Sequence, residues 1–86
     1  MLARFCGGPY DGLQLEDGLV ERCARPLPHG SGANFICMPP RADWDAVVRG
    51  DKDPSGPFRE ASPVYERVLL AMGTEFRFEA DSEADI

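Results

Sequence analysis

The chain has 86 residues, 43% of them hydrophobic, with fifteen Asp and Glu against nine Lys and Arg for a formal net charge of −6. That length suits one domain, which buries only about 60% of the surface its unfolded form exposes, so binding a partner would add materially to a small net stability. The acidic balance offers no cationic excess to release counterions from a phosphate backbone, which excludes nucleic acid as an expected ligand.

The first residues, Met1 to Cys6, run straight into Gly7-Gly8-Pro9 without an apolar h-region. No signal peptide is therefore expected, and no run approaches the roughly 20 apolar residues of a membrane span. A cytoplasmic setting follows, with Cys6, Cys23 and Cys37 as reduced thiols, since an odd count argues against a closed disulfide framework. Leu2 to Cys6 and Leu13 to Glu16 alternate in part between apolar and polar residues and predict a β-hairpin. Its connection is a turn signature. Pro9 presets φ, Asp11 can bond nearby backbone, Gly12 accepts positive φ, and Gly7 and Gly8 let the first strand end sharply. Asp17-Gly18 marks a second reversal, and residues 19–23 read as a further strand. Residues 26–32 (PLPHGSG) are a loop, and the apolar run from Ala33 to Met38, ended by Pro39-Pro40, reads as a core strand.

Residues 43–49 predict one short helix, with Asp43 as N-cap and Gly50 just past its end. Residues 51–61 form a polar loop. Residues 62–73 fit either a helix, with Pro63 at its first position, or a strand rich in Val, Tyr and Leu. Glu75 to Glu79 alternates cleanly and predicts a strand with Phe76 and Phe78 inward. The charge is uneven, with five basic and six acidic residues in 1–50 against four and nine in 51–86. Residues 1–80 are thus read as one domain and 81–86 as a frayed acidic tail. The expected fold is mainly β: a small antiparallel sheet or half-barrel of four to six short strands, with one short helix. Phe5, Leu13, Leu15, Phe35, Ile36, Val68, Phe76 and Phe78 are its expected core.

The stretch from Arg4 to Leu13, RFCGGPYDGL, resembles the opening of a loose group of small bacterial and phage-encoded proteins. These begin with an aromatic strand, a GGPxDG turn and an apolar strand, and they close with a hairpin containing Tyr and Arg. The segment Val64-Tyr65-Glu66-Arg67-Val68 through Phe76-Arg77-Phe78 is similar in style. The resemblance covers only the two ends of the chain. It implies a β-rich fold, a strand at 62–72 and a phage or mobile-element context, and it supplies no catalytic residue.

Chemistry-bearing residues are sparse. Cys6, Cys23, His29 and Cys37 would make a Cys3His zinc set, but no two of them stand two to four residues apart, as a zinc knuckle requires. The run from Asp51 to Phe58 imitates the start of a calcium loop, yet the position of the bidentate Glu holds Ser62. Gly30-Ser31-Gly32 is not a nucleophile elbow, because His29 and Ala33 stand where glycines are needed. No enzyme, metal or cofactor is therefore expected. Tyr10 at a turn tip and Trp44 between two aspartates are the candidate partner-binding anchors, each weighed against packing on the small core.

The expected function is a non-enzymatic protein–protein interaction module of phage or mobile-element origin, docking on a larger protein or a homo-oligomeric assembly. The alternatives are a virion structural protein (capsid decoration or connector), an inhibitor of a host defence or nucleic-acid-binding protein, and a small zinc- or thiol-dependent protein using Cys6, Cys23, His29 and Cys37.

Overall fold

The computed structural model describes residues 2–26 and 34–81. Most of the 26–32 loop, His29 within it, and the tail from 82 onward lie outside the described residues. In chain order the elements are β1 (Leu2–Cys6), a 3-10 turn (Gly8–Tyr10), β2 (Gln14–Glu16), α1 (Asp17–Cys23), β3 (Arg25–Pro26), β4 (Phe35–Cys37), a 3-10 turn (Arg41–Asp43), α2 (Trp44–Arg49), β5 (Pro63–Leu70) and β6 (Gly73–Asp81). The strands form one sheet in the order β2-β1-β6-β5-β4-β3. The mainly β expectation therefore holds, with the helix at 44–49 where the sequence places it.

Two expectations change. The sheet is mixed, because β1 and β6 pair in parallel, Ala3 opposite Thr74 and Phe5 opposite Phe76, while every other pair is antiparallel. Residues 19–23 belong to helix α1, not to a strand. Val20 and Cys23 are its buried residues, three positions apart on one helical face, and Asp17 in the first turn complements the helix dipole.

α2 starts without a side-chain cap bond from Asp43, whose carboxylate instead takes the ammonium of Lys52. It ends as expected at Gly50, which adopts a left-handed φ of 86°. The segment at 62–73 resolves as strand: β5 and β6 form a long hairpin closing on the Leu70–Gly73 pair. A register shift between Val64 and Tyr65 lets both of these adjacent residues be buried, which strict alternation forbids.

Both helices cover one face of the sheet. Its core gathers Ala3, Phe5, Tyr10, Val20, Cys23, Met38, Trp44, Val47, Phe58, Tyr65 and Phe76. Phe5 is its hub, stacked on Phe76 with ring centroids 4.9 Å apart and edge-on to Tyr65 at 5.0 Å. Leu13, Leu15, Ile36 and Phe78 pack around this cluster as expected. Val68 does not: it sits opposite Glu75, on the face turned away from the helices, and Phe35 is half-buried outside the cluster.

Candidate functional site

The GGPYDG turn is built for close approach. Gly7 and Gly8 have φ of 80° and 65°, and a Cβ on Gly8 would stand 2.4 Å from the Phe78 ring and 2.8 Å from the Tyr65 hydroxyl. The Tyr65 hydroxyl donates to the Gly7 carbonyl at 2.7 Å and accepts the Tyr10 N–H at 3.0 Å. The Asp11 carboxylate accepts the Gly7 N–H at 2.7 Å. Pro9 lies within the 3-10 turn and Gly12 takes a φ of 84°. These residues fold the turn back over the core edge.

That folding inverts the expected role of the aromatic anchors. Tyr10 is fully buried, donating its hydroxyl to the Pro39 carbonyl at 2.6 Å with the Arg41 guanidinium over its ring. Trp44 is buried edge-on to Tyr10 at 5.4 Å. A short helix and a turn can seat large rings on a small core only by turning them inward, so Tyr10 and Trp44 are core residues and not exposed anchors. Burial raises the Tyr10 phenol well above its ordinary value, and burial likewise raises that of Tyr65.

The cysteines do not converge. Cys6 lies on the uncovered face of β1, Cys23 in the core, and Cys37 buried near the Ser62 carbonyl. Among the described residues no group of three His, Cys, Asp or Glu is placed to hold a metal, so the Cys3His reading loses its geometric basis. The calcium-like turn spends its carboxylates internally: Asp51 pairs with Arg49 and Asp53 accepts the Ser55 N–H.

The uncovered sheet face carries a cluster that the sequence did not announce. Arg4 and Arg77 reach the Glu75 carboxylate at 3.3 and 2.7 Å, and the Cys6 thiol donates to it at 3.2 Å. The Arg77 hydrogen bond, then the Cys6 thiol, holds the Glu75 carboxyl below its ordinary range. The same contact with an anion, reinforced by burial, pushes the Cys6 thiol up. A thiol held protonated is a poor nucleophile, so the cluster is a structural staple between β1 and β6.

What remains open is the end of the sheet at the β5–β6 hairpin. Met72 is 93% exposed, Leu69 75%, Leu2 49% and Leu70 45%. Leu2, Leu70 and Met72 rim a shallow groove with Gly73 between them, where the absent side chain leaves a notch. The edge strands offer less, since β2 has three residues and β3 two, the latter ending in Pro26. Short edges of this kind offer little backbone for strand addition. No helix among the described residues is long and apolar enough to cross a membrane. No protein-family model matches this sequence, and no curated protein or solved structure matches it.

Proposed function

We propose that the protein is a non-enzymatic protein-interaction module that docks on a larger protein through the apolar end of its sheet. The observation carrying this reading is the groove rimmed by Leu2, Leu70 and Met72, with Leu69 exposed beside it on the same hairpin, large side chains left in water although the core is only a few residues away. Contiguous apolar surface of this kind is uncommon on a monomer and marks contact sites. Leu69 to Met72 is an unbroken apolar run at a hairpin tip, where little of it is buried. Methionine adapts its shape to a partner at little cost. A phage or mobile-element context, implied by the opening motif, suits a small protein that works by attachment.

The test places a photoreactive residue at Leu69 and, as a control, at exposed Glu60, in protein expressed in its native host. A defined adduct is expected from position 69 only, abolished by Leu70→Glu. Equal adducts from both positions, or adducts indifferent to Leu70→Glu, would overturn the reading.

A further inference from the structure

A second opening lies away from the hairpin tip, between α1 and the sheet face that the helices cover. It is a cleft of about 340 Å3, within the lower range of small-molecule sites. Val20 on α1 and Ile36 and Phe76 on the sheet give it an apolar lining, and Arg67 lies among them. Strand alternation explains why this arginine is unusual. Arg67 pairs with Phe76, next to the Tyr65–Phe78 pair on the same face, so it occupies a position that the pattern assigns to the core. Its Nε is buried and has no hydrogen-bond partner. Asp17 and Glu21, one turn apart on α1, line the same cleft, yet neither carboxylate is paired with it.

A buried guanidinium N–H is among the costliest donors to leave unmet. Its Nε–Nη edge forms a planar fork that matches one carboxylate. We propose that this cleft binds a small organic acid, its apolar body against Val20, Ile36 and Phe76 and its single carboxylate on Arg67. Asp17 and Glu21 also line the cleft, and their carboxylates repel a dianion such as a phosphate ester more strongly than a monoanion. The ligand class is thus an aryl or alkyl monocarboxylate.

The probes are 3-phenylpropionate, its uncharged amide and phenyl phosphate, each titrated into the full chain under amide NMR. The carboxylate should shift the amides of Val20, Glu21, Ile36, Thr74 and Phe76, and should move the Arg67 Nε–H resonance downfield. It should bind about tenfold more tightly than either control, the scale of one charge-assisted hydrogen bond. Arg67→Met and Arg67→Lys should each erase that preference. Arg25 also lines the cleft, but its guanidinium is engaged with the Ser55 carbonyl, so Arg25→Met should leave the preference in place. Equal binding of acid and amide, or an unmoved Arg67 Nε–H in the unaltered protein, overturns the proposal. That second readout needs no variant to fold, and it leaves the docking reading at the hairpin tip untouched.

Discussion

The hydroxyl of Tyr65, in the middle of the long hairpin, is a two-way clasp on the turn that carries Tyr10: it accepts the Tyr10 N–H at 3.0 Å and donates to the Gly7 carbonyl at 2.7 Å. Fifty-five residues separate the two tyrosines, so this bond ties one end of the described chain to the other. It also accounts for both glycines, because only a chain without a Cβ lets the Tyr65 hydroxyl and the Phe78 ring come so near.

Two glycine substitutions should separate conformation from crowding. Gly12→Ala meets a positive φ but nothing within 4 Å, and should cost about 1 kcal/mol. Gly8→Ala adds overlap with Phe78 and Tyr65 to the same penalty, and should cost about 2–4 kcal/mol. Urea denaturation of the two variants checks this, and equal losses would show that the turn yields freely.

The Glu75 cluster makes stability depend on acidity. Hydrogen bonds from Arg77, Cys6 and Arg4 depress the folded-state pKa of Glu75 below its ordinary 4.5. Its contribution is therefore complete above that value and is lost as pH falls through the lower folded value. Glu75→Gln should be less stable than the native sequence at pH 7, and the gap should close as pH falls through the depressed folded value, measured by urea unfolding at each pH. A gap that stays constant would place the effect in packing.

The two tyrosines govern the alkaline side. Both phenols are raised above 10.0 chiefly by burial, so the folded state favours their neutral forms. The stability they confer is intact below pH 10 and declines as pH rises toward the folded values. Tyrosinate absorbance at 295 nm should stay flat past pH 10 and then appear in one step with unfolding. A gradual rise in the folded protein would show a phenol open to water.

Cys6 should alkylate slowly in the folded protein although it is only half-buried, because the Glu75 carboxylate keeps its thiol protonated. Glu75→Gln should raise the iodoacetamide rate at Cys6 while buried Cys23 and Cys37 stay protected, read by mass spectrometry. An unchanged rate at Cys6 would detach its reactivity from that carboxylate.

Local chemistry in the sequence announces the elements that local chemistry decides. The GGPYDG turn, the helix ending at Gly50 and the alternating strand around Phe76 each follow from residues a few positions apart. Residues 19–23 misled because Leu19-Val20 together suit a strand, whereas the decisive spacing of Val20 and Cys23 becomes visible only with a core beneath them. Tyr10 and Trp44 misled because flanking polar residues suggested exposure, while tertiary contacts with Pro39, Phe5 and Tyr65 turn them inward. The Glu75 cluster and the Arg67 cleft unite residues far apart in sequence, which no spacing rule connects. The hairpin tip was readable as apolar, but not as exposed.

The parallel pairing of β1 with β6 has a consequence for synthesis. Arg4 meets Glu75 across 71 residues, so β1 waits for β6 before the centre of the sheet exists. Until then Phe5 has neither Tyr65 nor Phe76 to pack against, and the early β1–β2 hairpin is too small to persist in water by itself. The sheet therefore closes only once β6 has been made, with the slow, long-range assembly expected of high contact order. Any partner that binds the folded hairpin tip meets it only after the whole sheet has formed.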